Sequence, residues 1–195
     1  MANTNKVEYG MSGAYYGKLT QSAGTYSIAA PVALPGIVSL TADATENETK
    51  FYADNLPYYV LKNNAGSTGE LVMSKFPDSF KTDILGYKAL ASGAIAELDN
   101  AQPVAFCLGF IGEGDVHQVK RLYYNCIPGK IRRSYKTNAE GVEVEVETLP
   151  ITVIGIPVAD KDGVVWTVSK ASFLAADTNY ATAITTMTVP AFPVA

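Results

Sequence analysis

Between Val142 and Glu147 the chain alternates strictly, with valine at 142, 144 and 146 and glutamate at 143, 145 and 147. A period of two puts the valines on one face of a strand and the glutamates on the other, whereas a helix would scatter them around its circumference. This run opens the third of three successive strand-like stretches, 102–112, 117–136 and 142–158, which the rest of the chain extends or clips. The pattern predicts an antiparallel sheet with one wet, acidic face.

Upstream, GAYYGKLT predicts a first strand ending near Gln21, and GIVSLTAD at 36–43 predicts a second. Pro31 and Pro35 deny a regular central strand between them. The polar ADATENETK reads as an exposed turn or loop. An aromatic hairpin follows within 50–76, with arms near 51–61 and 69–76 and turn chemistry from Asn63, Asn64, Gly66 and Gly69. Pro77 and Asp78 open the one convincing helix, with Phe80, Ile84 and Leu85 on one face and Gly86 placed to stop it. Residues 87–101 leave helix, loop and edge strand open. Asp160-Lys161-Asp162-Gly163 signals a turn before a strand at 163–169, and the segment from Lys170 reads as the start of another short helix. The expected fold is all-β, an antiparallel sandwich or barrel with one or two short helices and extended hairpin and terminal arms.

Composition narrows the function more than the fold. The 195 residues suffice for one core, and at 48% apolar they need no disulfide or metal to fold. Charged residues are only 17%, which suits either a surface covered by partner subunits or a plain Ala/Thr/Gly-rich exterior. A net charge of -4 argues against a general nucleic-acid binder, which needs a basic footprint. Cys107 and Cys126 fall on neighbouring predicted strands, where a pair is geometrically possible and two buried free thiols are the first reading. With no run of about 20 apolar residues to span a bilayer and no hydrophobic signal region at the start, the sequence reads as a cytoplasmic, soluble product with no membrane association.

Site chemistry is sparse. His117 is the sole histidine, with no nucleophile elbow to support a triad. One histidine and two cysteines are too few for a zinc site, and GFIGEG lacks the rest of a nucleotide fingerprint. Asp43, Glu46 and Glu48 fit no calcium loop. The expectation is therefore no enzyme, no cofactor and no metal.

Charge and aromatic clusters are the informative features. Lys120, Arg121, Lys130, Arg132, Arg133 and Lys136 put six of fifteen basic residues in seventeen positions, and Glu140, Glu143, Glu145 and Glu147 follow. On adjacent strands they pair within one subunit; between subunits they complement identical neighbours. An acidic face turned to a channel would instead repel DNA phosphates and let DNA slide. The aromatics Phe51, Tyr52, Tyr58 and Tyr59 either fold back onto the core or dock on a neighbour.

NKVEYG with AYYGKLT, LPGIVSLTADATENETKFYADNLPYY, GELVMSKFPDSFKTDILGY, RLYYNCIPGK and VEVETLPITVIGIP together resemble the phi13-like major tail proteins, the tail tube subunits of siphophages of Gram-positive bacteria. The likeness runs over roughly residues 5–190. It implies a sandwich or barrel that self-assembles as stacked hexameric rings around a tape measure protein, forming the conduit for genome ejection. It further implies core strands including 104–110, 119–127 and 142–156, with 50–76 as an arm between subunits or rings. Phe51, Tyr52, Tyr58, Tyr59, Lys130, Arg132 and Arg133 become assembly candidates, and Glu143, Glu145 and Glu147 lumen-facing candidates. The implied partners are other copies, the tape measure, tail terminator and distal tail proteins, and double-stranded DNA that passes without specific binding. The implied location is the virion tail, assembled in the host cytoplasm. A single tail tube domain over 1–195, without the C-terminal immunoglobulin-like domain of some relatives, is expected. Other structural virion proteins on this fold (a tail terminator, connector or decoration protein) are the alternative, followed by a carbohydrate-binding sandwich using Tyr58 or Tyr59.

Overall fold

The computed structural model describes residues 5–53, 55–137 and 144–193. Its strands begin with β1 (Glu8–Ser22), β2 (Thr25–Ile28), β3 (Val32–Ala33), β4 (Ile37–Leu40), β5 (Asp43–Ala53) and β6 (Leu56–Met73). Helix α1 (Asp78–Asp83) precedes β7 (Lys88–Ala89) and β8 (Ile95–Ala96), a small clip where the sequence left three options open. Next come β9 (Phe106–Gly114), β10 (Val119–Pro128), β11 (Arg132–Arg133), β12 (Glu147–Val153), β13 (Ile156–Ala159), β14 (Val165–Val168) and β15 (Lys170–Phe173), then α2 (Ala183–Thr186). The fold is all-β and antiparallel, as the alternation predicts.

The main sheet runs β2-β1-β9-β10-β12-β6-β4, with β3, β5, β11 and β15 attached along its margins. Each face carries a core. Phe106, Leu108 and Phe110 of β9 point into one, with Tyr16, Leu71, Met73 and Leu149. Cys107 points into the other, with Leu19, Leu122, Tyr124 and Ile156. A strand covered on both faces is nearly continuously apolar, which is how β9 reads. The expected wet face is therefore absent from the central strands: Ile184 of α2, Met187 and Val189 after it, and Val158 and Val168 of β13 and β14 pack in the core on that side.

Glycine is what lets α2 seat so closely. A Cβ at Gly109 would fall 2.7 Å from Leu122 Cδ2 and 2.8 Å from Met187 Cε, so the hollow it leaves receives the Ile184–Met187 turn. Lys120 Nζ then donates to the Tyr180 and Ala181 carbonyls at 2.8 and 2.9 Å and sits over the Tyr180 ring. In β10, Asn125 takes a left-handed backbone (φ 52) at a bulge, and Tyr123 and Cys126 thereby share one core while Tyr124 enters the other.

Helix α1 plugs the first core. Phe80 lies 5.0 Å from the Tyr16 ring, 5.2 Å from Phe76 and 5.4 Å from Phe106, and is fully buried. Gly86 (φ +74) ends this segment as expected, although the helix itself has only six residues.

Four other expectations change. The ADATENETK loop is strand β5. The hairpin turn lies between Ala53 and Leu56, with Asn55 at φ 61, while Asn63 and Asn64 pair with Asn47 and Glu46 inside the ladder. Residues 144–146 are not strand, and Val142 lies outside the described residues: β12 starts at Glu147, opposite Met73, because β6 ends there and leaves Val144 and Val146 no partner on it. Val144 is consequently 80% exposed. Lys170–Phe173 is a strand on β10, and the helix comes only at Ala183.

Candidate assembly surface

Strands β5 and β6 form a ribbon that leaves the sheet. Residues 67–73 of β6 pair with β12, whereas from Leu56 to Asn64 its ladder partner among the described residues is β5 alone. The departure is marked by Gly66 (φ +93), where a Cβ would run into the Val153 carbonyl. At about 3.4 Å per residue, the 11 residues of β5 reach roughly 35 Å from the body. A two-stranded ribbon is marginal in water on its own.

Its tip carries the predicted aromatics, and they do not fold back. Phe51, Tyr52, Tyr58 and Tyr59 are 62%, 60%, 77% and 58% exposed. Phe51 stands directly opposite Tyr59, so these two rings share a face, while Tyr52 opposite Pro57 and a register shift turn the next residues away. Leu56 and Val60 extend the apolar surface. Scattered exposed apolar residues mean little; here six stand together on one ribbon tip.

The basic cluster is distributed differently. Arg133 is paired in register with Glu147 across β11 and β12, Nε to Oε1 at 2.7 Å. The other Glu147 oxygen accepts from the Phe76 N–H at 2.7 Å. Burial works against that carboxylate's charge, but the Phe76 N–H and the Arg133 guanidinium outweigh it and hold its pKa below the usual range. Arg132 reaches Glu70 at 2.9 Å, and Lys130 makes a loose, exposed pair with Asp99 at 3.6 Å. Much of the cluster thus ties β6, β11 and β12 together within one subunit. Glu145 is exposed and accepts from the Lys136 N–H at 2.7 Å; Glu143 lies outside the described residues.

Two features were not singled out from sequence. Asn5 locks the start of the chain to the β9–β10 turn: its side chain donates to the His117 carbonyl and accepts from the Val116 and His117 amides. Asp115 completes the clip by accepting from the Lys6 N–H at 2.9 Å. At the β13–β14 turn, Asp160 accepts from the Trp166 indole at 2.7 Å and from the Asp162 and Val164 amides, which lowers its pKa. That leaves Trp166 55% exposed beside Val165. Only the tight x-Asp-x-Asp-Gly turn hinted at it.

The thiols are inert structural fillers. Cys107 and Cys126 are free and buried, and burial pushes Cys107 up to about 11 and Cys126 higher still. Among the described residues no group of His, Cys, Asp and Glu could hold a metal ion, and no helix is long and apolar enough to cross a membrane.

Comparisons give this surface a context. The chain is similar to a chain of the sheath-tube complex of an extracellular contractile injection system in its extended state (8% identity, TM-score 0.44, covering 83% of this chain and 89% of that chain). It is also similar to the tube-terminating cap of the anti-feeding prophage (12% identity, TM-score 0.44, covering 90% and 100%). A type six secretion system protein is similar at 10% identity and TM-score 0.31, covering 84% and 95%. No protein of curated function matches the sequence. Residues 2–119, which contain β1, the whole β5–β6 ribbon and α1, match the phage tail tube protein family; the chain belongs to that family and is a structural component of a phage tail.

Proposed function

We infer that this chain is the repeating subunit of a siphophage tail tube, built as a single tail tube domain that stacks in hexameric rings around a tape measure protein. The observation that carries the reading is the β5–β6 ribbon, whose aromatic tip stands away from its own fold. Exposed tyrosines supply large contact area at little side-chain entropic cost, and neighbouring copies are the surface that a repeating subunit always has at hand. Tail terminator and distal tail proteins close the ends, and double-stranded DNA passes through without specific contacts. Assembly takes place in the cytoplasm of a Gram-positive host, and the product resides in the virion tail.

The acidic residues divide in this reading. Glu143 and Glu145 belong to the lumen wall, where like charge keeps phosphates from sticking. Glu147 is committed to Arg133 and Phe76 and holds the wall together. Electron microscopy of the purified protein tests the proposal: rings or tubes with sixfold symmetry are expected, and a protein that stays monomeric at high concentration overturns it.

A further inference from the structure

One open mouth remains in the sheet. Strand β4 pairs with β6 on one side, and the start of β1 pairs with β9 on one side; among the described residues neither has a ladder partner on its other edge. Gly10 (φ +69) and the irregularities between Glu8 and Met11 and between Ser12 and Tyr15 keep this part of β1 from joining β4. Between the two strands lies a groove of about 440 Å³. Phe110 and Tyr123, stacked at 6.0 Å, lie along it, while Tyr9 and Val38, 61% and 53% exposed, stand at its rim. The Arg121–Glu8 ion pair borders it.

We propose that this groove is the socket for the β5–β6 ribbon tip of a second copy of the chain. The inference rests on the reading that copies assemble through the ribbon, and it names the surface that receives it. Three observations select that occupant. The groove is bounded by strand edges, so its unsatisfied backbone groups are matched by another strand rather than by a globular surface. Beside the Arg121–Glu8 pair, Phe110, Tyr123, Tyr9 and Val38 give the groove aromatic and apolar contacts of the kind the tip offers. The tip of the same chain is excluded: Leu56, with Ala53 opposite it, lies fifteen residues along β6 from Leu71, the partner of Leu40, roughly 50 Å of extended ribbon. Area is also in proportion. An aromatic side chain offers about 150–250 Å², so four of them at their observed exposures supply roughly 500 Å². Leu56 and Val60 bring the tip towards the ~800 Å² per partner of a stable interface.

The test is cross-linking between two differently marked copies. V38C protein is mixed with Y59C protein under assembly conditions and treated with a short bismaleimide; the native thiols are buried and do not compete. The expected product is a covalent dimer formed only in the mixture, with position 38 of one copy joined to position 59 of the other by mass spectrometry. A Y59C and W166C mixture should give none. Micrographs of the untreated protein separate the two failures. Tubes in which the thiol introduced at position 59 joins some other surface overturn the socket and leave the assembly reading standing, whereas no rings or tubes at all overturns both. As a second measure, Val38→Arg places charge in the groove at an exposed position. It should melt like wild type yet raise the concentration needed for assembly at least tenfold; unchanged assembly overturns the proposal.

Discussion

Glu147→Gln is the substitution on which the physical reading of the acidic run can be tested most sharply. Glu147 has one carboxylate oxygen on Arg133 Nε and the other on the Phe76 N–H, both at 2.7 Å, and its side chain is 14% exposed. Glutamine keeps the shape and one acceptor but removes the charge. A hydrogen bond to a charged group is worth about 1.5–3 kcal/mol against about 0.5–1.5 for a neutral one. With two such bonds, one through the partly exposed Arg133, the net loss at neutral pH is about 1–2 kcal/mol. For a chain of this size that is roughly 2–8 °C in Tm. The pH dependence carries the sign. A carboxylate whose folded pKa is depressed contributes stability that is fully present above its unfolded value of 4.5 and is lost as pH falls through the folded pKa. The wild-type and Gln proteins should therefore differ at pH 7 and converge well below about pH 4. Urea melts of unassembled protein at both pH values provide the measurement. A difference that persists unchanged at low pH, or no difference at pH 7, would mean that Glu147 is a solvated residue and the clasp is not real.

Four other perturbations separate folding from assembly. Tyr59→Ser together with Phe51→Ser should leave Tm nearly unchanged, as surface changes usually do within about 0.5 kcal/mol, yet abolish tubes in electron micrographs. Gly109→Ala should destabilise by about 1–3 kcal/mol through overpacking, because its Cβ meets Leu122 and Met187; a thermal melt reads this. Asn5→Ala should speed amide exchange at Val116 and His117, whose N–H groups it caps, without lowering protection in β9. Cys107 and Cys126 should resist a thiol reagent in the native state and react fully after denaturation.

Where local chemistry and tertiary partners agree, the sequence was readable. The β9 and β10 stretches, the Pro77–Gly86 segment and the Asp160–Gly163 turn each carry a pattern that their surroundings reinforce. The misreadings share one cause, which is that a strand exists only beside another strand. Val142 to Glu147 has the best alternation in the chain, but of its described residues 144–146 lie outside the ladder, because β6 stops at Met73 and β12 starts only at Glu147. The polar 43–49 stretch has poor strand character, yet it pairs along its length because β6 runs opposite. Asn63 and Asn64 look like a turn and sit inside a ladder for the same reason. The covering of the central strands on both faces was likewise invisible, since it depends on Ile184 and Met187 arriving from far along the chain at a hollow made by Gly109. Of the candidate site, the aromatic ribbon was legible as residues and as a hairpin. Its turn, and the groove between β1 and β4, were not, because neither follows from local pattern.

The ribbon and the charge cluster solve opposite problems. Burying an ion pair inside a subunit costs desolvation that only good geometry offsets, and the Arg133–Glu147 clasp achieves this with a backbone donor as its third member. It secures the Met73 end of the β12–β6 ladder, the end opposite to Gly66, where β6 leaves the sheet beside Val153. The ribbon beyond Gly66 has, among the described residues, only β5 as a ladder partner, and its apolar tip is stabilised only when something covers it. On the proposed assembly, a clasped body and an uncovered tip make association, rather than folding, the step at which the tip's apolar area leaves water. Loosening the clasp and trimming the tip should then fail in different ways. Glu147→Gln lowers the stability of the isolated subunit, whereas loss of Phe51 and Tyr59 lowers only its tendency to assemble.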